Sequence, residues 1–105
     1  MGSNQTVFIY STFPTKSNAE KVAEHLVEKN LIACANIFQI SSIYRWKGKI
    51  ERQKEFALIG KTLKKNVGKI EKEIKILHSY EVPAITSFVV KVNKDFGEWI
   101  EKEVE

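Results

Sequence analysis

An α+β fold with an antiparallel sheet is predicted by three features of this sequence. One is the uninterrupted run from Ala33 to Thr62, which reads as two very long strands joined at Lys47-Gly48-Lys49. Another is a pair of helical apolar stripes, one on each side of that run. The third is a short β-prone stretch outside each stripe, Val7 to Tyr10 and Ile85 to Val92. The implied order is β-α-β-β-α-β with a further helix behind it, the split βαβ or ferredoxin-like pattern.

Each element has its own justification. Val7-Phe8-Ile9-Tyr10 is apolar and β-prone, and Phe13-Pro14 ends it. Ser17-Asn18-Ala19-Glu20 matches a capping box, with Ser17 at the N-cap and Glu20 three residues on. Ala19, Val22, Ala23, Leu26 and Val27 then follow at helical spacing. Asn30 is the expected stop, because Asn tolerates the left-handed conformation at a helix C-terminus. A second helix is expected over Lys65 to Leu77, with Val67, Ile70, Ile74 and Leu77 on one stripe, broken at Glu81-Val82-Pro83. Asp95-Phe96-Gly97-Glu98 resembles another capping box, ahead of Trp99, Ile100 and Val104.

The central run carries the most information. Ordinary strands run about 5–6 residues, and each arm here is about twice that. The first arm changes phase: Ala33, Ala35 and Ile37 share one parity, while Ile40, Tyr44 and Trp46 share the other. Ser41-Ser42 lies between the blocks, so a β-bulge is expected there. The second arm is apolar on both parities from Phe56 to Ile59, as in a central strand. Arms this long overshoot the sheet that one small domain builds. Their free edges, with Tyr44 and Trp46, call for a partner, so the run predicts an oligomer.

A length of 105 residues predicts one domain. Residues 1–5 are set aside as a tag remnant or disordered stretch, since Met1-Gly2-Ser3 has that character. The apolar runs fall short of the ~20 residues that span a bilayer, and no secretory core follows Met1. The single cysteine, Cys34, cannot form an internal disulfide. A cytoplasmic location is therefore expected. The net charge of +4 is dispersed, and all but Arg45 and Arg52 of the 17 cations are lysine. Lysines alternate with glutamates, as in Lys69, Glu71, Lys72, Glu73 and Lys75, which marks solvated helix faces rather than a nucleic-acid footprint. No nucleophile elbow, phosphate-binding loop or dinucleotide turn is present, so no enzymatic activity is expected. Tyr44 and Trp46 could stack bases, but subunit contact or a cleft lining is the stronger reading for aromatics at a hairpin tip.

Four local words, in order, carry a resemblance. They are Ala33-Cys34-Ala35-Asn36-Ile37, Ser42 to Glu51 (SIYRWKGKIE), Leu58-Ile59-Gly60-Lys61-Thr62, and His78-Ser79-Tyr80-Glu81-Val82-Pro83. Together they resemble the CutA divalent-cation-tolerance family from Val7 to about Val104. The resemblance implies a cytoplasmic homotrimer of ferredoxin-like subunits, similar in architecture to PII signalling proteins. Its long hairpins would pair between subunits through Ile43, Tyr44 and Trp46. It also implies a link to copper or another divalent cation, and clefts between subunits that hold a metal ion or a small molecule. Tyr44, Trp46, Lys61 and Tyr80 are the expected cleft residues.

Within that frame, the candidate metal ligands are His78, Glu81 and Cys34. Imidazole suits copper and zinc, a neighbouring carboxylate can ligate or orient it, and thiolate suits Cu(I). Against these stand plainer roles: a helix C-terminal histidine for His78, and a small packed strand residue for Cys34. His25 lies off the apolar stripe and is expected at the surface. Glu51 and Glu55 are expected to be solvated charges. Beside the metal- or ligand-binding trimer stand two other readings: a rigid trimeric scaffold for a partner and, least favoured, a nucleic-acid binder.

Overall fold

The computed structural model describes residues 5–104. In chain order the elements are β1 (Thr6–Phe13), α1 (Lys16–Glu28), β2 (Cys34–Trp46), β3 (Lys49–Leu63), α2 (Val67–Leu77), β4 (Ile85–Val89) and α3 (Lys94–Glu103). A single 3-10 turn, Lys64–Asn66, joins β3 to α2. The four strands form one sheet in the order β2-β3-β1-β4, and every pairing is antiparallel. This is the predicted ferredoxin-like arrangement. The expectation for residues 1–4 lies outside the described residues. Gln5 is tied to the 3-10 turn, because its carbonyl accepts the Lys64 N–H at 2.9 Å.

One face of the sheet is covered by α1 and α2. Val7, Ile9 and Phe13 alternate along β1 and pack with Leu58, with Ala19, Val22, Ala23 and Leu26 of α1, and with Ile70 and Ile74 of α2. Val27 and Leu77, predicted on the same stripes, sit at their margins, 43% and 39% exposed. α3 crosses to the opposite face, where Ile100 and Val104 close over Leu63. The rest of that face is open and carries Phe38 and Phe88, both nearly half exposed.

Helix ends show where local signals compete. α1 is capped by Thr15, whose Oγ1 accepts the Asn18 N–H at 3.0 Å. The predicted cap, Ser17, lies inside the first turn. Both positions offer a hydroxyl three residues before a helical group, and the chain uses the one beside Pro14. The C-terminus is as predicted. Asn30 has φ of 59°, its N–H bonds the Val27 carbonyl, and the Leu31 N–H bonds that of Leu26. That is the Schellman pattern of crossed bonds. α3 begins two residues earlier than predicted, at Lys94 behind Asn93, with no side-chain cap. Asp95 lies in the first turn, where its charge suits the helix dipole. β4 ends at Val89 rather than Val92, because Val89 pairs with Val7 near the start of β1. The Val90 N–H reaches Thr6, and beyond it β1 offers nothing to pair with.

The hairpin is as long as predicted: 13 residues in β2 and 15 in β3. Lys47 and Gly48 both have positive φ, 49° and 80°, which makes a two-residue type I′ turn, with Lys49 already paired to Trp46. The expected bulge at Ser41-Ser42 is absent. The register runs without insertion from Cys34↔Lys61 to Trp46↔Lys49. The apolar phase changes for another reason. The helical layer stops near Phe56, so beyond it no layer covers the face that Ala35 and Ile37 share, and the apolar side chains move to the open face. β1 ends at Phe13↔Phe56, and from there the hairpin projects alone. The molecule is 44 Å long and only 24 × 21 Å across.

Candidate functional site

The notch where β1 ends and the hairpin continues is walled on its far side by residues 78–84, the segment after α2. Three contacts fix that segment. At its start, the His78 ring stacks on Phe13, with centroids 4.3 Å apart, and its Nε2 lies 2.7 Å from the Thr12 carbonyl. At its end, the Ser11 hydroxyl donates to the Ala84 carbonyl at 2.7 Å. Between them, the Tyr80 hydroxyl donates to Glu55 Oε2 at 2.5 Å and accepts from Gln53 Nε2 at 2.9 Å. The segment is thus tied to both β1 and the hairpin.

A cleft of about 810 Å³ lies between them. Ile40, Ile43, Tyr44 and Trp46 of the hairpin line it, as do Tyr80, Glu81 and Val82 of the segment. Gln53 and Glu55 of β3 and Tyr10 and Thr12 of β1 complete the wall. The sheet geometry explains the grouping. Even-numbered residues of β1 and β2 and odd-numbered residues of β3 share the open face, which brings Tyr10, Ile40, Tyr44 and Glu55 together.

His78 is buried, at 9% exposure. Its Nδ1 accepts the Tyr80 N–H at 3.0 Å, so Nε2 carries the proton and donates to Thr12. Burial holds its pKa below 6.5, although the bond to the Thr12 carbonyl and the Glu55 charge pull the other way. Tyr80 is displaced oppositely. Burial raises its pKa above the ordinary 10.0, and the bond to Glu55 with its negative charge adds to this, against a smaller lowering by Gln53. The phenol therefore stays protonated and keeps donating.

The predicted site residues separate into two groups. Tyr44, Trp46, Tyr80 and Glu81 line the cleft, and His78 supports it from behind. Lys61 does not reach it. Its ammonium donates to Asn36 Oδ1 and lies 5.6 Å from the Phe8 ring centroid, further along the open face. Cys34, a half-buried free thiol, stands opposite Lys61 in register. Ile43, Tyr44 and Trp46, expected at a subunit contact, are 64%, 37% and 42% exposed.

Divalent cations need several hard or borderline donors converging on one point. Among the described residues no three His, Cys, Asp or Glu side chains come together to hold a metal ion. Both nitrogens of His78 are engaged within the chain. The donors among the described residues therefore do not fit a resident metal.

Two residues differ from their sequence-based description. Glu55, expected to be solvated, is 6% exposed. It adjoins the apolar run beginning at Phe56, and its carboxylate is bound by the Tyr80 hydroxyl from 25 residues away. His25, expected at the surface, is hydrogen-bonded to Glu73 Oε1 at 2.5 Å and links α1 to α2. No helix among the described residues is long and apolar enough to cross a membrane.

Comparisons with known proteins agree with this architecture. Residues 7–103 match the family model for the CutA1 divalent ion tolerance protein. The divalent-cation tolerance protein CutA of Archaeoglobus fulgidus is 43% identical over 99 residues, covering 93% of this chain and 97% of its own length. That of Pyrococcus horikoshii is 42% identical over 98 residues, covering 92% and 96%. The solved A. fulgidus structure, described as a periplasmic divalent cation tolerance protein, superposes with a TM-score of 0.93 over 95% of this chain and 99% of its own. CutA1 from the psychrotrophic bacterium Shewanella sp. SIB1 has a TM-score of 0.90 at only 27% identity, covering 95% of both chains. The βαββαβ order, the projecting hairpin and the match over residues 7–103 together make this chain a member of the CutA1 divalent ion tolerance family.

Proposed function

We propose that this chain acts in divalent-cation tolerance as a homotrimeric, non-enzymatic binding protein, whose clefts are completed by neighbouring subunits and take a small ligand or a divalent ion such as copper. The observation that carries this is the hairpin beyond Phe13↔Phe56. It projects Ile43, Tyr44, Trp46 and Ile50 away from the chain's own core, and it forms one wall of the 810 Å³ cleft. Pairing the hairpin with another copy would cover Ile43 and Ile50, leave Tyr44 and Trp46 facing the cleft, and leave no free edge in a closed ring. Three copies are the assembly implied by the resemblance to CutA trimers. The related proteins named for divalent-cation tolerance supply the biological context. An ion held here would need donors from two subunits, with Glu81 the exposed carboxylate at the rim. The single free thiol supports a cytoplasmic site of action.

The occupied nitrogens of His78 favour a second reading, in which the trimer is a scaffold and metal effects are incidental. Native mass spectrometry of tag-free protein separates the readings. It would be run apo and with one equivalent per chain of Cu(II), then Zn(II). A trimer that retains stoichiometric metal, and loses it in Glu81→Gln, supports an ion in the cleft. A trimer that stays metal-free leaves the small-ligand and scaffold roles. A monomer at micromolar concentration overturns the proposal.

A further inference from the structure

Charge in the cleft is unbalanced. Its lining contains two carboxylates, Glu55 and Glu81, and neither a lysine nor an arginine. This is local, since the chain as a whole carries +4. Glu55 is 94% shielded from solvent by its 6% exposure, yet the bond found for its side chain is the one from the neutral Tyr80 hydroxyl. The ion pairs found among the described residues, His25–Glu73 and Lys75–Glu71, lie elsewhere. A buried carboxylate held by one neutral donor still favours a cation.

The surroundings say what kind of cation. Four aromatic side chains, Tyr10, Tyr44, Trp46 and Tyr80, line the same space, together with Ile40 and Val82. Aromatic faces attract ammonium and guanidinium groups, Trp most strongly. A metal ion has too few donors here. An anion would meet two like charges. A neutral apolar ligand would strip water from the exposed Glu81 carboxylate without replacing it. The volume of about 810 Å³ lies in the range of small-molecule sites, roughly 300–1,000 Å³.

We propose that the cleft binds an organic cation, an ammonium or guanidinium group on an apolar body, with the charge against Glu55 and Glu81 and the body against Tyr44 and Trp46. This deepens the binding reading of the same cleft and rests on it. Tyr80 is a positioning residue: its hydroxyl holds the Glu55 carboxylate, and its backbone N–H is held by His78.

Three isosteric probes test the class: phenethylammonium, 2-phenylethanol and 3-phenylpropionate. Each is titrated into the intact oligomer, with calorimetry for affinity and the Trp46 indole N–H resonance for location. Phenethylammonium is expected to bind at least tenfold more tightly than either of the others, to shift the Trp46 signal, and to weaken as ionic strength rises. Glu81→Gln, an exposed change, should lower that affinity several-fold, and Glu55→Gln should lower it further. If the neutral or anionic probe binds as well or better while Trp46 still responds, the cleft is a ligand site but the cation assignment is wrong. If none of the probes moves Trp46, the cleft reading falls together with this inference. If phenethylammonium binds only an Ile43→Lys/Ile50→Lys dissociated form, the cleft holds a neighbouring copy, and the inference is overturned.

Discussion

The two halves of β3 share one backbone geometry and one unbroken register, yet their surroundings are opposite. From Lys49 to Lys54 every residue is exposed, and from Glu55 to Leu63 every residue is buried or half-buried. The proximal half lies between β1 and β2, under α1. The distal half has β2 alone. Strand formation in the distal half therefore owes little to burial. It rests on the hairpin ladder and on the type I′ turn, whose twist matches that of the strands. The proximal half stabilises the chain, whereas the distal half presents surface. The cleft sits at the boundary, where Glu55 belongs to both.

The comparison can be broken first at its buried end. Leu58 is fully buried, so Leu58→Ala should cost about 2–5 kcal/mol, from lost transfer energy plus the cavity left behind. Urea denaturation would measure it, and a loss below 1 kcal/mol would mean that the proximal half is not the core. The next effect belongs to the turn. Gly48 has φ of +80°, and a side chain there meets nothing within 4 Å. Gly48→Val should thus cost roughly 1–2 kcal/mol through backbone strain alone, seen as a lower denaturation midpoint with an unchanged cleft.

The boundary responds to pH from both sides. The folded pKa of His78 lies below 6.5, so the unfolded chain takes up a proton that the folded chain refuses. Stability should fall as pH drops below 6.5, until folded His78 titrates in turn. The folded pKa of Tyr80 lies above 10.0, so above that pH the unfolded chain releases a proton that the folded chain keeps. Stability should fall again on the alkaline side. Denaturation midpoints of wild type, His78→Gln and Tyr80→Phe across pH 5 to 11 check both signs. Each variant should flatten one limb only.

The smallest effect on the folded chain is expected at the tip. Ile43 and Ile50 are 64% and 62% exposed, so Ile43→Lys with Ile50→Lys should change the stability of the chain by no more than about 0.5 kcal/mol. The same pair should abolish self-association, read as monomer mass with an unchanged circular dichroism spectrum. A variant that still self-associates would place the subunit contact elsewhere, and the open face with Phe38 and Phe88 is one other exposed apolar surface.

Much of this was legible in the residues because it is local. Asn30 and Lys47-Gly48 mark their turns through backbone conformations that few residues adopt. The helical stripes follow from spacing, and hairpin length from the lack of any proline between Ala33 and Thr62. The misses were all competitions. Thr15 and Ser17 are both adequate caps, and only the path of the chain out of β1 selects Thr15. The phase change at Ser41-Ser42 resembles a bulge when the extent of the covering layer is unknown. The same holds for the site. Tyr44 and Trp46 were marked by exposure on an overlong hairpin, and Tyr80 and Glu81 by their place in a recognisable word. The role of Glu55 is not legible locally, because the group that binds its carboxylate, Tyr80, lies 25 residues away. Lys61 belongs to a word that points to the cleft, yet strand parity and register set it beside Asn36, further along the sheet.

By itself, then, the sequence determined the order of elements, the turns and an edge that calls for a partner, since these depend on φ/ψ preference and on periodicity within a few residues. The tertiary structure alone decided where the helical layer ends, which face each hairpin residue meets, and that the Tyr80 hydroxyl binds Glu55 while the His78 ring reaches Thr12. Those outcomes depend on contacts between residues tens of positions apart, and short-range preference carries no information about them.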